Sequence, residues 1–341
     1  MPLPTSAEVG RIFDAAAAGG YALPAVNVTS SQTLNAALQG FADAGSDGIV
    51  QVTVGGAQYW SGAARDAYTG ARAMAAIAHE LAARSPVGIV IHTDHCPPDH
   101  VDDFLRPLLA ASVERARRGE RPLFHSHMFD GATLPLEENL RLSRELLEQC
   151  RDAGVVLEIE VGVVGGEEDG IGSHDVDASR LYTTTEELLE VAEALGTGER
   201  GRYLLAATFG NVHGTYAPGH VQLRPAILRE GQDALAAARP GARFQYVFHG
   251  SSGSSEAEIR EAVSYGVVKM NVDTDMQYAF TRAVAGHVLD NWKGVLRVDG
   301  GLGDKSAYDP RAWGRKAETA MAARVARACE DVGSAGHSLW G

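Results

Sequence analysis

The chain alternates short apolar runs with longer amphipathic stretches along most of its 341 residues, and this alternation restricts its fold more than any other feature. The apolar runs have the length and β-branched content of buried strands and occupy residues 21–27, 48–53, 87–93, 122–128, 155–161, 203–208, 244–248 and 267–271. The stretches between them have helical periodicity and occupy residues 32–44, 63–83, 101–118, 136–153, 185–195, 224–238, 255–265 and 275–291. Connections of this kind force the strands to run in parallel, so the pattern predicts an α/β protein with a (β/α)8, or TIM, barrel.

An open, doubly wound sheet is the alternative arrangement of the same units. That sheet needs a glycine-rich phosphate loop at its first strand-to-helix turn, and residues 28–32 contain no glycine. The barrel is therefore favoured, with an extra N-terminal helix near residues 6–18 and a C-terminal helical extension near residues 311–332. Because no segment resembles a linker, we expect residues 1–341 to form a single domain.

Composition argues against several classes of function. The formal net charge of −14 and the lack of a dense lysine–arginine run argue against a nucleic-acid-binding surface. Cys96, Cys150 and Cys329 are far apart and odd in number, which predicts a reducing compartment without disulfides. The first residues lack the pattern of a signal peptide and no apolar stretch reaches membrane-spanning length, so we expect a cytoplasmic protein.

Polar residues gather where the predicted strands end. In a barrel these ends surround one opening, so the following side chains should meet there: Asp94, His95, His125, His127, Asp130, Glu158, Glu160, Asn211, His213, His249, Asn271 and Asp273. His95, His213 and His249 follow three different strands, and three imidazoles with an open fourth position form a catalytic zinc site. His125 and His127 leave two interpretations open, because such a pair on a strand either binds metal or makes buried hydrogen bonds.

Glycines near the later strand ends indicate a second kind of site. Gly214, Gly250 and Gly253, with the hydroxyls of Ser252 and Thr274, would present backbone N–H groups to a phosphate. Ordinary turns also use glycine, but the last two strands of a barrel are the usual place for a phosphate. The pattern therefore predicts a phosphorylated small molecule as the ligand.

Residues 162–182 form one irregular insertion, which directly follows the fifth predicted strand. It is rich in glycine and acidic residues and includes Glu167 and Glu168. A loop of this length in a compact domain is usually functional or disordered. The two glutamates form either a solvated acidic turn or a mobile carboxylate that removes a proton from carbon when the loop closes.

Six stretches resemble the signatures of one known family: Thr93-Asp94-His95-Cys96-Pro97, Ser126-His127-Met128-Phe129-Asp130, Leu157-Glu158-Ile159-Glu160, Gly165-Gly166-Glu167-Glu168-Asp169-Gly170, Gly210-Asn211-Val212-His213-Gly214 and Lys269-Met270-Asn271-Val272-Asp273-Thr274-Asp275. In order and spacing they are similar to class II, zinc-dependent fructose-1,6-bisphosphate aldolase, over nearly the whole chain. The resemblance implies that His95, His213 and His249 hold the zinc ion. It also implies that Asp130 and Glu160 belong to an alternative, more buried metal position.

The same resemblance assigns the proton transfers. It implies that Asp94 protonates and deprotonates the aldehyde or C4 oxygen. Glu168, with Glu167 as its neighbour in the loop, would exchange the C1 proton of dihydroxyacetone phosphate. Asn271 would contact the hydroxyl or the enediolate of that substrate.

The resemblance further implies the residues that surround the substrate. The phosphate of dihydroxyacetone phosphate would be bound by Gly214, Gly250, Ser252, Asp273 and Thr274. The substrate-side asparagine would be Asn27, Thr53 would lie near the second phosphate, and Lys305 and Arg311 would reach that phosphate. A sodium or potassium ion near the first phosphate and a homodimer or homotetramer are also implied.

Two residues depart from the family pattern. Ser251 stands where a glycine is usual, and Thr53 stands where a serine is common. If residue 251 requires a positive φ, serine costs about 1 kcal/mol and shifts the phosphate loop. Both departures bear on affinity or substrate preference rather than on the zinc.

Four alternatives compete with this interpretation. Lys269 could act as a Schiff-base nucleophile, as in a class I aldolase, but the three histidines would then lack a role. Tagatose 1,6-bisphosphate is an alternative substrate for the same chemistry. A zinc hydrolase of the amidohydrolase type and a binding protein that has lost catalysis are the remaining alternatives. The hydrolase is disfavoured because its His-x-His pair usually follows the first strand.

Overall fold

The computed structural model describes residues 3–168, 171–173, 178–213 and 222–340. Within these ranges the strands are β1 Leu23–Asn27, β2 Gly48–Val52, β3 Ile89–Thr93, β4 Ser126–Phe129, β5 Val156–Val161, β6 Gly165–Glu168, β7 Ile171–Ser173, β8 Tyr203–Ala207, β9 Val212–His213, β10 Tyr246–Phe248 and β11 Val267–Asn271. Eight of these described strands close into a parallel barrel in the order β1-β11-β10-β8-β5-β4-β3-β2. The predicted (β/α)8 barrel is confirmed.

The helices in the same ranges are α1 Ser6–Gly19, α2 Ser31–Ala44, α3 Val54–Trp60, α4 Ala67–Ala82, α5 Arg106–Arg117, α6 Leu136–Ala153, α7 Thr185–Leu195, α8 Ala226–Ala238, α9 Glu256–Ser264, α10 Thr274–Asp290, α11 Trp292–Leu296, α12 Lys305–Tyr308 and α13 Pro310–Asp331. Helices α1 and α13 correspond to the predicted N-terminal helix and C-terminal extension. Helix α13 packs along α2 on the outside of the barrel. In the part of the chain described here, none of the helices combines the length and apolar character that a membrane crossing requires.

Helix α1 closes the N-terminal end of the barrel. Its N-cap residue is Thr5, which forms a capping box with Glu8: the Thr5 hydroxyl accepts from the N–H of Glu8, and the Glu8 carboxylate accepts from the N–H of Thr5. Val9, Ile12 and Phe13 then form one buried apolar face. This face packs against the apolar residues that the strands point into the lower barrel.

Inward-facing positions of the strands change from apolar to polar along the barrel axis. On β3, Val90 packs in the cluster beneath α1, whereas Asp94, on the same face just past the strand, is a buried acid. On β5, Val156 lies in that cluster, and Glu158 and Glu160 follow at intervals of two. The buried polar groups therefore gather at the C-terminal end, where barrel enzymes place their active sites.

Three local features differ from the sequence-based expectation. Strand β4 begins after the predicted start at residue 122, because Pro122 has no N–H and the His125 ring accepts the N–H of Ile91 at 2.8 Å. Helix α3 was not predicted, and Thr53 caps it by accepting from the N–H of Gly56 at 2.9 Å. The insertion at 162–182 is not wholly irregular, since β6 pairs with β7 in antiparallel and with β9 in parallel.

Candidate active site

A sharp turn after β3 brings two strand ends together. The N–H of Asp94 still donates to Val52 O at 2.9 Å, so the sheet ladder continues up to this residue. The next residue, His95, has a φ of +28°, which is uncommon for a residue with a side chain. His95 Nδ1 then lies 2.9 Å from Oδ2 of Asp130, which follows β4.

Three side-chain amides surround the Asp94 carboxylate. Asn27 Nδ2 and Gln51 Nε2 donate to Oδ2 at 3.1 and 2.8 Å. Asn271 Nδ2 donates to Oδ1 at 3.1 Å. Burial would raise the pKa of Asp94, but the positive potential of His95 and its neighbours outweighs burial and lowers the pKa to about 2. Asp94 is therefore an ionised carboxylate at neutral pH.

Gln51 is a site residue that sequence reasoning missed. It is fully buried on β2, and its Nε2 also donates to Asn27 Oδ1 at 2.6 Å. The available signal was a single amide inside an otherwise apolar strand, where a polar side chain needs a partner. Gln51 thereby fixes the positions of the Asn27 and Asp94 side chains, which lie at the ends of the strands on either side of β2.

Lys269 forms an ion pair inside the barrel. Its Nζ lies 2.9 Å from Glu158 Oε2 and donates to Asn271 Oδ1 at 2.7 Å. A Schiff-base mechanism needs a lysine whose amine is free to attack a carbonyl. This lysine is committed to a carboxylate and an amide, which argues against the class I alternative.

Among the described residues, three overlapping groups of side chains have the spacing of a metal site, and one of them is His92, Asp94 and Glu158. The ligand atoms of Asp94, His95 and His249 all lie within 4.8 Å of one another. Those of His95, Asp130 and Glu160 meet the same limit. Imidazole nitrogens and carboxylate oxygens are the donors that catalytic zinc takes in proteins, so these side chains fit a zinc ion.

His249 lies between two carboxylates. Its Nε2 is 2.7 Å from Glu158 Oε1, and its Nδ1 is 2.9 Å from Glu160 Oε2. Burial would lower the pKa of His249, but the hydrogen bonds to Glu158 and Glu160 outweigh it and raise the pKa to about 9. Burial, and then the charge of Asp130, raises the pKa of Glu160. Both shifts indicate a pocket of negative potential, which favours a cation.

Several predicted residues lie outside the described part of the chain: Gly214 as a whole, and the side chains of Glu167, Glu168 and His213. The neighbouring backbone is described. Gly166 pairs with His213 in the register of β6 with β9. A Cβ at Gly250 would lie 2.6 Å from the carbonyl of Val212. The backbone of strand β9 therefore lies between two neighbours, with His213 beside the acidic insertion and Val212 beside the segment that follows His249.

The loop after β10 is anchored to its neighbours. Gly250 has a φ of +60° and lies against the backbone of Val212, so residue 250 has no room for a side chain. Ser251 Oγ donates to Asn271 O at 2.7 Å, and Ser252 Oγ donates to Asp275 Oδ1 at 3.2 Å. Ser251 is not among the non-glycine residues with positive φ in the described ranges, so the anticipated backbone strain does not arise.

The contact between Ser252 and Asp275 places the loop beside the start of α10. Asp273 is the N-cap residue of that helix and Thr274 is its first residue. Backbone N–H groups at a helix N-terminus favour an anion. Phosphate binding by Asp273 and Thr274 stays a prediction.

Of the residues expected near the second phosphate, Lys305 and Arg311 have their contacts elsewhere, whereas Thr53 directly follows β2 beside Asp94. Arg311 is 88% exposed and pairs with Asp309 at 2.7 Å. Lys305 begins α12, and in the described part of the chain neither Lys305 nor Arg311 forms a hydrogen bond or ion pair with Asp94 or His249. Thr53 is buried, and its hydroxyl caps α3.

His125 and His127 make structural hydrogen bonds. His125 Nδ1 accepts from the N–H of Ile91 at 2.8 Å, and His127 Nδ1 lies 2.8 Å from Thr93 Oγ1. Burial lowers the pKa of each imidazole to about 3. Neither belongs to a described group of side chains with metal-site spacing. These observations favour the hydrogen-bonding alternative over the metal-binding one.

Metal-binding side chains at the C-terminal rim of a closed parallel barrel define a class of protein, the (β/α)8-barrel enzymes with a metal centre. The family profile described as "Fructose-bisphosphate aldolase class-II" matches residues 7–337. The chain belongs to the class II fructose-bisphosphate aldolase family, whose members are metal-dependent lyases.

Individual relatives agree with the profile. The fructose-bisphosphate aldolase of Streptomyces galbus is 56% identical over 342 aligned positions, which cover 99% of this chain and 100% of the relative. That of Mycobacterium tuberculosis is 53% identical over 347 positions, covering 99% of each. The crystal structure of the Campylobacter jejuni fructose-bisphosphate aldolase has a TM-score of 0.85 at 36% identity and covers 98% of this chain and 96% of that one. The resemblance found in the sequence is confirmed.

Proposed function

We propose that this chain catalyses the reversible, zinc-dependent aldol cleavage of fructose 1,6-bisphosphate to dihydroxyacetone phosphate and glyceraldehyde 3-phosphate, a step of glycolysis and gluconeogenesis. The observation that carries the proposal is the position of Asp94. It is an ionised carboxylate held by three amides, and it lies beside the imidazoles of His95 and His249. A proton-transfer group beside a Lewis-acid site is what an aldol reaction requires.

His95, His213 and His249 would hold the zinc ion, and Asp130 and Glu160 would form the alternative metal position. When bound, zinc supplies Lewis-acid stabilisation of the negative charge that develops on substrate oxygen atoms. The spacing of His95 and His249 and the negative potential around them support this assignment. A sodium or potassium ion near the phosphate site is the other cofactor that we infer.

The proton transfers are assigned to this chain's carboxylates. Asp94 takes the proton of the C4 hydroxyl in the cleavage direction and returns it to the aldehyde oxygen in the synthesis direction. Glu168, with Glu167 beside it, exchanges the proton at C1 of dihydroxyacetone phosphate. Asn271 orients the substrate hydroxyl from the position where it also donates to Asp94.

Phosphate binding is assigned to the loops after β9 and β10 and to the start of α10. The residues are Gly214, Gly250, Ser252, Asp273 and Thr274 for the first phosphate, with Asn27 and Thr53 on the substrate side and Lys305 and Arg311 for the second phosphate. Arg311 is 88% exposed, which is compatible with a role at the site of a second subunit, as in the family that the chain resembles. We therefore infer a homodimer or homotetramer.

Two broader inferences complete the proposal. Residues 1–341 form a single domain, which the continuity of the barrel across the described ranges supports. The protein is cytoplasmic, and the three buried free cysteines support a reducing compartment. No nucleic acid or membrane partner is proposed.

The test is cleavage of fructose 1,6-bisphosphate by the purified protein. We expect the activity to disappear on chelation, to return with zinc, and to be unaffected by borohydride in the presence of substrate. Cleavage that survives chelation but is lost to borohydride would assign the reaction to Lys269. A zinc-loaded protein without cleavage would be a binding protein. Turnover on tagatose 1,6-bisphosphate, measured in parallel, identifies the preferred substrate.

A further inference from the structure

His249 has two ring nitrogens, and a different carboxylate lies against each one. Glu160 approaches Nδ1 at 2.9 Å, and Glu158 approaches Nε2 at 2.7 Å. Glu160 belongs with His95 and Asp130 to a group whose ligand atoms lie within 4.8 Å of one another. The Nδ1 edge of the ring therefore faces the group of His95, Asp130 and Glu160, and the Nε2 edge faces Glu158, which forms another such group with His92 and Asp94.

Glu158 is held in place by a second interaction. Lys269 Nζ lies 2.9 Å from its Oε2 and 3.1 Å from its Oε1, and both side chains are buried. If the Glu158 carboxylate turned away, the Lys269 ammonium would be left buried without a counter-charge, which is strongly unfavourable. Glu158 is thus a fixed hydrogen-bond acceptor for His249.

The same lysine also orients Asn271. Lys269 donates to Asn271 Oδ1 at 2.7 Å, two residues farther along β11. With its oxygen engaged, the amide must turn its NH2 group the other way, and that group donates to Asp94 Oδ1 at 3.1 Å. One ion pair therefore contacts the imidazole of His249 directly, through Glu158, and the carboxylate of Asp94 indirectly, through Asn271.

We propose that Glu158 and Lys269 are positioning residues of this site. Glu158 holds the proton on Nε2 of His249, so that the ring presents Nδ1 to the metal, and Lys269 keeps Glu158 and the Asn271 amide in their orientations. A carboxylate that holds the distal N–H of a metal-binding imidazole fixes its tautomer and its direction. This inference rests on the proposed metal site. Both residues act through another side chain.

The experiment compares Glu158→Gln with the double variant Glu158→Gln/Lys269→Met. A glutamine can offer either an acceptor or a donor to Nε2, so the tautomer is no longer fixed. The double variant leaves no unpaired ammonium and keeps the test valid if the single variant fails to fold. Glu145→Gln, at a surface ion pair with Arg106, is the matched control.

Three readouts are taken without substrate: zinc affinity by competition with a chelator, the absorption spectrum of the cobalt-substituted protein, and ¹⁵N spectra of histidine-labelled zinc protein. The ¹⁵N signals of His249 are identified as those that are absent from the spectrum of the His249→Gln variant. We expect zinc affinity to fall about 10- to 100-fold in both Glu158 variants, with a changed cobalt spectrum. In the unsubstituted protein we expect the His249 ring to carry its proton on Nε2 and to bind the metal through Nδ1.

Two results would overturn the proposal. One is a metal-bound Nε2 in the unsubstituted protein. The other is zinc affinity and a cobalt spectrum that match the Glu145→Gln control, even if the melting temperature falls, because a merely structural ion pair would change only stability. A protein that binds zinc with this tautomer but does not cleave fructose 1,6-bisphosphate would contradict the proposed function alone.

Discussion

Gln51 Nε2 lies 2.8 Å from Asp94 Oδ2, so the end of β2 supplies a hydrogen bond to the carboxylate that follows β3. Both residues are buried, and the same nitrogen also donates to Asn27. The bond stabilises the ionised form of Asp94, because its acceptor carries a full charge. Asp94 therefore depends on a neighbouring strand for its orientation.

Gln51→Met is expected to lower kcat for fructose 1,6-bisphosphate cleavage by about 10- to 100-fold, since hydrogen bonds to charged groups contribute about 1.5–3 kcal/mol. Steady-state kinetics of the zinc-loaded protein measure the loss. Ser334→Ala removes a buried hydrogen bond to Ser46 far from the rim and should leave kcat unchanged. Equal kcat values in the two variants would refute the role given to Gln51.

Asp94→Asn keeps the shape of the side chain but removes its ability to accept a proton. We expect kcat to fall by about 10²- to 10⁴-fold, the usual contribution of general acid–base catalysis. The zinc content of the purified variant is measured alongside, so that loss of metal is not mistaken for loss of proton transfer. A zinc-loaded variant that retains more than a tenth of the activity would contradict the assignment.

Stability should fall as the pH is lowered below about 6.5, because His125 and His127 are buried as neutral imidazoles. Burial lowers the pKa of both to about 3, whereas in the unfolded chain they take up protons near pH 6.5. Their contribution to the free energy of unfolding is complete above pH 6.5 and is lost as the pH falls toward 3, by about 1.4 kcal/mol per histidine and pH unit.

His125→Asn isolates one of these contributions. The asparagine oxygen can accept the Ile91 N–H in place of Nδ1, and the amide cannot take up a proton in this range. The free energy of unfolding, measured with urea between pH 7.5 and 4.5, should depend less on pH in this variant. His100→Asn, at a partly exposed histidine, is the control. An unchanged pH dependence in His125→Asn would show that the imidazole is not buried neutral.

Two glycines in helices should respond to alanine in opposite directions. A Cβ at Gly40 in α2 would lie 2.5 Å from Val325 Cβ and 2.6 Å from Ala322 O of α13, whereas at Gly286 in α10 it would meet nothing within 4 Å. Gly40→Ala should destabilise the protein by about 1–3 kcal/mol through overpacking. Gly286→Ala should stabilise it by up to about 1 kcal/mol through helix propensity. Urea unfolding distinguishes them, and a stabilising Gly40→Ala would contradict the packing of α2 on α13.

The barrel was predictable because each of its strands and helices carries its own periodicity. The candidate metal ligands were predictable for a related reason, since parallel strands that close a barrel must bring their ends to one rim. His95 and His249, far apart in the sequence, meet there with their rings 4.7 Å apart. Only the order of the strands was needed to expect this.

Contacts that depend on register were not predictable in the same way. Gln51 reaches Asp94 only because β2 and β3 pair Gln51 with His92. The pairing of β6 with β7 was missed because its glycine-rich segment lacks the apolar alternation by which strands are found. The strain expected at Ser251 was conditional on a positive φ, which the residue type alone does not determine.

Zinc binding by three histidines can be measured by diffraction from crystals of the zinc-loaded protein, recorded on both sides of the zinc absorption edge. We expect one strong anomalous peak at the C-terminal rim, bonded to the imidazoles of His95, His213 and His249. A peak away from these rings, or fully loaded crystals in which the three imidazoles share no ion, would contradict this expectation.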